Sequence, residues 1–360
     1  MRVLALSNER RPGADPDIPW ALGALQARAV VSEYHVYSTP VRVAELGAER
    51  ATHELVDVIS RLRPDVVAFF HSGSCLFTSR EVDHLREACP DALWIYREGD
   101  PFTRWTAPYP RRALPVATRC EAAYIFSGGY LAQTLRRAGV PFVTYTPSWV
   151  NPERFPFVWS PDGPHVYDVV FVGNNTKAHL RPFPGARERA KLVNALQRRF
   201  GDTLAIYGKG WTGQGVKGTC SLDEIPLLYR QSRVAVGIDH SVGPYQFSNR
   251  LPIALSSGIP LAHNSFEGAR EILAGLSPRQ FFTDTRQALS VVERLVDAPS
   301  SELGTISSRQ RKLAVRAFAC DKVLGFMLET ASGIRDGNDP ALMKNPWLAE
   351  RGSLGIGPTR

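Results

Sequence analysis

The strongest constraint on the fold is an alternation of short apolar segments with amphipathic segments of helical length along most of the chain. In the first half, strands are predicted at residues 3–6, 29–36, 66–70, 93–96, 123–126 and 143–145, with helices at 51–62, 79–88 and 129–138. Short strands joined by helices predict βαβ units, and therefore a parallel sheet with helices packed on its faces.

This alternation is interrupted once, at residues 146–167, where five prolines occur and no periodicity is visible. It then resumes, with strands predicted at 169–172, 204–207, 234–238, 259–262 and 280–282, and helices at 187–200, 222–231, 251–256, 270–274 and 285–296. A long helical region at 307–332 follows. Proline-rich segments without periodicity are typical of linkers. The sequence therefore predicts a first domain at 1–148, a linker at 149–166, a second domain at 167–330 and a tail at 331–360 that docks back.

Composition limits the class of protein. The hydrophobic fraction is 44% and the charged fraction 22%, which is ordinary for a globular domain. The sequence contains no apolar run long enough for a transmembrane helix, so no membrane insertion is predicted. Five widely spaced cysteines show neither a disulfide framework nor metal-ligand spacing, which favours reduced thiols and a cytoplasmic location.

The net charge of +8 and the pI of about 9.4 admit two interpretations. An anionic partner such as nucleic acid or a phosphorylated sugar is one, and an ordinary basic surface is the other. Basic residues in the predicted loops of the first half are Arg10, Arg11, Arg97, Arg104, Arg111 and Arg112. Arg97, Arg104 and Trp105 are predicted to bind the acceptor, because arginine beside aromatic rings suits phosphates and stacked bases.

Three polar loops follow predicted strands of the second half. They are Gly173-Asn174-Asn175, Gly208-Lys209-Gly210-Trp211 and Ser248-Asn249-Arg250. The last of these opens a predicted helix, and helix N-termini present free N–H groups that bind phosphate. Arg250 would add a charge-assisted hydrogen bond. Taken singly, each loop also fits a simple turn or an ordinary helix cap; together they predict a diphosphate site at one edge of the sheet.

Candidate catalytic residues lie in the first half. Glu98 and Asp100 follow a predicted strand, so a carboxylate there could deprotonate an acceptor hydroxyl. Asp100 is the first candidate, although Asp before Pro is also common in turns. His71 is a further candidate and His240 a weaker one, since a lone histidine is more often structural. No Asp-x-Asp pair is placed to hold a metal-bound diphosphate, so neither a metal nor a cofactor is predicted.

The second half resembles a known family over more than a hundred residues. The segments that carry the resemblance, in order, are YDVVFVGNN (167–175), IYGKGW (206–211), LYRQSRVAVGI (228–238), SNRLPIALSSGIPL (248–261), EGAREIL (267–273) and FFTD (281–284). They are similar to the bacterial CgeB-like, group-1-type glycosyltransferases. The resemblance implies a GT-B fold, in which two Rossmann-like doubly wound domains face a central cleft. It also implies a nucleoside diphosphate sugar, most often a UDP-sugar, as co-substrate, with Gly258 among the donor-binding residues.

One residue departs from the family pattern. Where the family usually has a glutamate expected to bind the ribose hydroxyls, this chain has Ile253, and Pro252 precedes it. Either another group holds the ribose or the donor differs.

Three functions therefore remain open: a glycosyltransferase, a non-catalytic nucleotide-sugar-binding or regulatory protein, and a hydrolase or epimerase of nucleotide sugars. For the transferase, a glycan, a small molecule or a modified DNA base could be the acceptor. The sequence does not indicate the oligomeric state.

Overall fold

The computed structural model describes residues 1–175, 183–240, 243–339 and 342–348. Contacts along the chain divide these residues into two compact units. The first unit consists of Met1–Pro147 together with the described residues from Cys320 onward, and the second unit consists of Ser148–Ala319. Each contains a parallel six-stranded sheet, so the predicted class of two doubly wound α/β domains is confirmed.

The sheet of the first unit has the order β2-β1-β3-β4-β5-β6, and all its strands are parallel. Its strands are β1 Arg2–Ser7, β2 Glu33–Ser38, β3 Val66–Phe70, β4 Leu93–Glu98, β5 Ala122–Ile125 and β6 Phe142–Tyr145. β3, with the sequence VVAFF, is buried along its whole length, as expected for a central strand covered by helices on both faces.

Six helices connect these strands. They are α1 Asp17–Ala27, α2 Thr39–Leu46, α3 Ala48–Leu62, α4 Ser79–Glu87, α5 Leu114–Ala117 and α6 Tyr130–Arg137. The start of α4 is set by a capping box, in which Thr78 and Glu81 each accept a hydrogen bond from the other's backbone N–H. α1 and α2 were not predicted from the sequence.

The second unit repeats the arrangement with the order β12-β11-β10-β7-β8-β9, again with parallel strands. Its strands are β7 Tyr167–Val172, β8 Leu204–Tyr207, β9 Val216–Gly218, β10 Ser232–Gly237, β11 Leu261–Asn264 and β12 Phe281–Phe282. Its helices are α7 Ala186–Phe200, α8 Ile225–Arg230, α9 Arg250–Ser257, α10 Ala269–Ile272, α11 Thr285–Asp297 and α12 Ser300–Leu313.

The proline-rich segment is not a free linker. Phe155 and Trp159 are each only 2% exposed. Trp159 donates its indole N–H to the carbonyl of Ser232 at 3.0 Å, and the Ser256 hydroxyl donates to the carbonyl of Phe155 at 2.7 Å. These contacts place the segment in the second unit, packed against the end of α9. The prolines interrupt the hydrophobic periodicity from which buried segments are predicted. The sequence therefore showed no sign that residues between them, such as Phe155 and Trp159, belong to the core.

The chain returns to the first unit at its end. After α12 come one π-helical turn at Ala314–Phe318 and α13 at Cys320–Arg335. The sequence predicted α13 as part of the second domain, but the hydroxyl of Tyr124 donates to the carbonyl of Met327 at 3.0 Å, and α13 packs on α1. Because this helix continues an unbroken helical pattern, nothing local in the sequence marks the crossing.

Part of the predicted tail is described, at residues 342–348. Asn345 donates its side-chain amide to the carbonyl of Tyr145 at 2.8 Å, and the Trp347 ring packs on Phe326 with ring centroids 5.1 Å apart. These residues therefore lie on the first unit. Residues 340, 341 and 349–360 of the predicted tail lie outside the described residues.

The five cysteines are unpaired thiols. None of the helices in the described ranges combines the length and the apolar character needed to span a bilayer.

Candidate functional site

Each sheet has one point at which the strand order reverses, and ligands of open α/β sheets bind beyond the carboxyl ends of the strands at such points. In the first unit the reversal lies between β1 and β3, and in the second unit it lies between β7 and β10. The residues that follow these strands are therefore the first places to look for chemistry.

In the first unit, the three predicted catalytic residues come together. His71 follows β3, Glu98 ends β4 and Asp100 comes two residues later. One ligand-type atom from each of the three lies within 4.8 Å of the other two. We call these three residues the acid–histidine cluster. The parallel pairing of β3 with β4 produces it, since adjacent parallel strands end at the same edge.

Glu98 is the buried centre of this cluster, with no solvent exposure. One carboxylate oxygen lies 3.2 Å from His71 Nδ1 and accepts the backbone N–H of Asp100 at 3.0 Å. The other oxygen accepts the backbone N–H of Ser72 at 3.0 Å and the hydroxyl of Tyr96. Burial raises the pKa of Glu98, but the hydrogen bonds from His71, Tyr96 and the Asp100 amide outweigh it and leave that pKa below its ordinary value. Glu98 is therefore a buried carboxylate held in its ionised form.

Asp100 differs from Glu98 because its side chain reaches solvent. Protein atoms still surround much of it, and this partial burial raises the pKa of Asp100, with the charge of Glu98 acting in the same direction. Interactions with His71 and Arg97 act against this shift. Two carboxyl groups with opposite pKa shifts thus stand side by side, as is common where acid and base roles are divided.

The three predicted acceptor-binding residues separate in the structure. Arg104 and Trp105 lie on the exposed loop after β4, with the guanidinium carbon 4.7 Å from the ring centroid of Trp105, which is 66% exposed. Arg97 does not lie in a loop, as the sequence suggested, but inside β4. It is only 2% exposed and donates to the carbonyl of Pro147 at 3.1 Å. Burial lowers the pKa of Arg97 to about 10. A guanidinium so placed is structural, and we leave it out of the acceptor surface.

In the second unit, the loops after β7 and β8 form one surface. The Asn174 side-chain oxygen accepts the backbone N–H of Lys209 at 2.9 Å, and the backbone N–H of Asn175 donates to the carbonyl of Lys209 at 2.8 Å. The Asn175 side-chain amide donates to the carbonyl of Gly210 at 3.1 Å. The two asparagines therefore join the loops, while the Lys209 side chain is exposed.

The glycines of the second loop are explained by this close approach. Gly208 has φ +150°, and a Cβ there would lie 2.2 Å from the carbonyl oxygen of Gly173. Trp211 packs edge-on against Phe171 with ring centroids 5.8 Å apart, and its indole N–H donates to the carbonyl of Gly173 at 2.5 Å. The sequence suggested that Trp211 offers a flat ring to a base, but in the structure this ring supports the loop.

Arg250 begins α9, as the sequence predicts, and α9 has no side-chain cap at its N-terminus. Pro252 fits this position because the first turn of a helix has N–H groups without helical partners, so a residue that lacks an N–H loses nothing there. Beside Arg250 lies Arg189 of α7, which sequence analysis missed. Arg189 is 3% exposed and donates to the carbonyls of Ile238 and Asn174, each at 2.9 Å.

Asp239 completes this group, and we call Arg189, Asp239 and Arg250 the arginine cluster. One Asp239 oxygen accepts the backbone N–H of Ser248 at 3.1 Å, and the other lies 3.7 Å from His263 Nε2. In the described part of the chain, that second oxygen and Arg250 Nε are buried without a hydrogen-bond partner. A cavity of about 20 Å³ lies beside this cluster, and its lining includes Arg189, Ser248, Arg250 and His263.

Positive charge exceeds negative charge in the arginine cluster, with two guanidinium groups for one carboxylate. Burial lowers the pKa of Arg189 to about 10, and the neighbouring Arg250 acts in the same direction. Burial also lowers the pKa of His240 to about 4, with Arg189 and Arg250 again contributing. His240 is therefore neutral at pH 7. The cluster lies at the carboxyl ends of β7 and β10, where an anion would relieve the repulsion between like charges.

Two residues of the α9 segment do not belong to this edge. Gly258 caps the other end of α9 at φ +83°, and a Cβ there would lie 2.1 Å from the Phe157 ring. Because helix C-termini lie at the opposite edge of a doubly wound sheet, we leave Gly258 out of the proposed donor surface. Ile253 is 2% exposed within α9 and offers no polar group for a ribose.

A larger cavity of about 210 Å³ lies beyond the ends of β10, β11 and β12. Its lining includes Glu188, Asp239, Asn264 and Asp284. Sequence analysis did not find it, because these residues come from four distant segments without a common motif. Its carboxylates make it a poor place for a diphosphate.

Comparisons with known proteins bear on the fold of the whole chain and on the family that part of the second unit resembles. Residues 187–329 match the model of a family described as glycosyl transferase-like. No curated protein has a matching sequence.

Solved structures match almost the whole chain. Sucrose-phosphate synthase from Thermosynechococcus elongatus is similar at 12% identity and a TM-score of 0.57, covering 94% of this chain and 100% of its own. HepE from Anabaena, solved with UDP-glucose, matches at 13% identity and a TM-score of 0.58. The match covers 92% of this chain and 100% of the HepE chain. The UDP-forming trehalose-phosphate synthase from Burkholderia xenovorans matches at 12% identity and a TM-score of 0.55. The match covers 92% of this chain and 98% of the synthase chain. The chain thus has the GT-B fold of these structures, and residues 187–329 of its second unit are similar to the glycosyl transferase-like family.

Proposed function

We propose that this glycosyl transferase-like chain moves a sugar from a nucleoside diphosphate sugar, a UDP-sugar, to an acceptor hydroxyl, and that it does so without a metal ion. The family match over residues 187–329 supports transferase chemistry. The relatives of the same fold that are described as binding UDP-glucose or as UDP-forming support the choice of donor.

The observation that carries the donor assignment is the surplus positive charge of the arginine cluster. Arg250 and Arg189 lie with a single carboxylate, Asp239, at the point where the strand order of the second sheet reverses, and the charge of Asp239 acts on Arg189. The N-terminus of α9 adds the positive end of its dipole beside them, although the N–H of Leu251 already donates to the carbonyl of Ser248 and Pro252 has no N–H. A diphosphate fits this combination, and the joined loops around Gly173, Lys209 and Gly210 form its other side in our proposal.

The 20 Å³ cavity at Arg250 has room for about one water-sized group, which is far too little for a diphosphate. The diphosphate therefore lies outside this cavity, with the Arg250 guanidinium turned toward it. The exposed Lys209 side chain supplies a second cation, and Ser248 and Asn249 supply polar groups before the helix.

The acceptor belongs to the first unit in this proposal, where the acid–histidine cluster activates its hydroxyl. Both oxygens of Glu98 are already occupied by four hydrogen-bond donors. A metal ion would have to displace these donors, so proton transfer suits the cluster better than metal binding.

Calorimetry with UDP and GDP tests the donor site. Arg250→Ala should weaken UDP binding by about 1.5–3 kcal/mol, the size of a hydrogen bond to a charged group. Arg286→Ala, which removes an exposed arginine elsewhere in the second unit, is the matched control and should bind normally. Equal affinity of the Arg250→Ala variant and the wild type for both nucleotides would rule out this site.

For the acceptor, the loops after β1 and β4 suggest a polyanion, with DNA carrying a hydroxylated base as the leading example. The exposed arginines on these loops are Arg10, Arg11, Arg104, Arg111 and Arg112. They follow strands whose carboxyl ends share one edge of the first sheet with the acid–histidine cluster.

Salt dependence tests this acceptor. DNA affinity measured by anisotropy should fall steeply with salt, with a slope of roughly one per phosphate neutralised. Arg104→Ala should reduce the slope by about one, while Arg80→Ala on α4 should not. If DNA does not bind even at low salt, the acceptor is a glycan or a small metabolite.

A second function, a nucleotide-sugar-binding regulator without catalysis, is favoured by one observation. Ile253 replaces a residue that relatives of the family are expected to use for the ribose, and it is buried. Incubation with UDP-glucose separates the two functions, since a transferase releases UDP in the presence of an acceptor, whereas a regulator binds the donor and leaves it intact.

A further inference from the structure

We propose that His71 Nε2 receives the proton of the acceptor hydroxyl and that Glu98 is the residue that positions His71 for this step. The assignment rests on the proposed glycosyl transfer and divides the roles within the acid–histidine cluster. Sequence analysis ranked Asp100 first, but the contacts around Glu98 and His71 favour a different order.

Glu98 cannot itself take the proton. It has no solvent exposure, and four donors occupy its two oxygens. Three of these donors, namely two backbone N–H groups and the Tyr96 hydroxyl, come from rigid parts of the first unit. A proton added to this carboxylate would lie close to the hydrogens of donors that already point at its two oxygens, and these like partial charges would repel. Its function is therefore to hold a fixed negative charge against His71.

That charge selects the form of the imidazole. His71 Nδ1 has two neighbours, Glu98 Oε1 at 3.2 Å and the backbone N–H of Gly99 at 3.1 Å. A protonated Nδ1 satisfies the carboxylate, and an unprotonated Nδ1 satisfies the amide, but one nitrogen cannot do both. A hydrogen bond to an ionised carboxylate is about twice as strong as a neutral one, so the proton resides on Nδ1. Nε2 is then left with a lone pair, and the side chain is 20% exposed.

The backbone of His71 is held in a conformation that supports this role. Its φ of +62° and ψ of 157° lie in a region that is nearly restricted to glycine and costs about 1–3 kcal/mol for other residues. The conformation persists because the His71 N–H donates to the carbonyl of Arg97 at 2.7 Å and its carbonyl accepts the N–H of Ser74 at 3.0 Å. Strain of this kind is concentrated at functional sites.

Gly99 shows how closely the ring is enclosed. A Cβ at Gly99 would lie 2.3 Å from His71 Cε1. Only a residue without a side chain leaves room for the imidazole between the two strand ends. In this position the ring places Nδ1 3.2 Å from Glu98 Oε1.

The acceptor oxygen forms a bond to the anomeric carbon of the donor sugar, while the bond from that carbon to the diphosphate oxygen breaks and UDP leaves with the electron pair. The acceptor proton passes to His71 Nε2, and the imidazolium is stabilised by Glu98 through Nδ1–H. Asp100, which is exposed and within 4.8 Å of the other two, accepts a hydrogen bond from a second hydroxyl of the acceptor and so orients the acceptor.

The first experiment reads the imidazole directly and needs no activity. Long-range ¹⁵N–¹H correlation spectra of the full chain should show His71 protonated at Nδ1 in the wild type. Glu98→Gln, which keeps the shape of the side chain but removes its charge, should shift His71 toward the Nε2–H form. An Nε2–H form in the wild type would overturn the proposal. So would broadening of His71 by stoichiometric Mn²⁺, which would show a metal site instead.

The second experiment measures turnover. His71→Gly suits the backbone conformation and should fold, yet lose about 10²–10⁴-fold in kcat, the usual range for a general base. Added imidazole should restore part of this loss, and the donor KM should hardly change. A variant with wild-type kcat would overturn the assignment. Calorimetry with UDP keeps the two proposals separate. A wild-type chain that binds no UDP refutes the donor site, and this result does not depend on which nitrogen of His71 carries the proton.

Discussion

The two units are built on the same kind of sheet, yet the charged side chains buried at the ends of their strands differ in sign. In the first unit the buried group is a carboxylate, Glu98, whose hydrogen bonds keep it ionised. In the second unit the group consists of two arginines, Arg189 and Arg250, with one carboxylate, Asp239, whose charge acts on Arg189. The first arrangement suits proton transfer, and the second suits an anion.

The difference shows that topology sets where a site can form but not what it does. Both sheets reverse their strand order once. The arginine cluster lies at that point in the second sheet, and the acid–histidine cluster lies beside it in the first, at the ends of β3 and β4. The charge of each collection depends on a few side chains that follow the strands. A doubly wound domain can therefore become a diphosphate site or a base site without any change of its core.

The largest effect is expected from Glu98→Ala. Removing the carboxylate leaves four donors unsatisfied around a buried space, which should lower the free energy of unfolding of the first unit by about 3–5 kcal/mol. Chemical denaturation measures this loss. Glu87→Ala, at the exposed end of α4, is the control and should change stability by less than about 0.5 kcal/mol. A small effect of Glu98→Ala would mean that the carboxylate is not the organising group.

A matched pair of glycine variants compares the two edges. Gly208→Ala places a Cβ 2.2 Å from a backbone oxygen at φ +150°, so the loop itself must move, and we expect a loss of stability above about 2 kcal/mol. Gly99→Ala places a Cβ against the His71 ring, which can turn away, so we expect a loss of turnover with little change in melting temperature. Equal losses of stability would remove this distinction between the edges.

Asp100→Asn should have a smaller effect on turnover than His71→Gly. Asparagine can still accept a hydrogen bond from a second hydroxyl of the acceptor, so a decrease of about tenfold is expected, the equivalent of about 1.4 kcal/mol. UDP affinity should stay unchanged because the donor residues belong to the second unit. If Asp100→Asn loses more turnover than the His71 variant, Asp100 is the base, as the sequence first suggested.

The smallest effect concerns pH. The pKa of His240 is about 4 in the folded chain against an ordinary 6.5, so the unfolded chain binds the proton more readily and stability falls as pH drops through this range. The pKa of Glu98 is below its ordinary value of 4.5, so the stability that it contributes is lost only below that pH. Melting temperatures should therefore fall between pH 7 and 4.5, and His240→Asn should make this fall smaller, although burial also lowers the pKa values of His35 and His165. An unchanged profile would contradict the burial of a neutral His240.

Much of the fold could be predicted from local patterns. The strand at 66–70 is observed at Val66–Phe70, and the helix at 251–256 is observed at Arg250–Ser257. Buried strands and amphipathic helices leave a periodic trace in the sequence, because the same face must be apolar at every turn or every second residue. α13 could not be assigned to its unit in this way, since which unit a helix packs on is decided by residues far away in the chain.

The grouping of the candidate site residues could be predicted from the sequence, but the charges and contacts around them could not. The residue types after the strands pointed to His71, Glu98, Asp100 and Arg250, and adjacent parallel strands bring such residues to one edge whatever their identity. Arg189 was missed and Arg97 misplaced, because an arginine inside a helix or a strand looks the same in sequence whether it is solvated or buried.

The sequence alone determined that the chain forms two parallel sheets with polar loops at their strand ends, because burial on both faces imposes a pattern that each segment shows by itself. Only the tertiary structure decided that Glu98 stays ionised and His240 neutral. The protonation of a side chain depends on the charges and hydrogen bonds within a few ångströms. For Glu98 the decisive neighbour, His71, is 27 residues away in the chain.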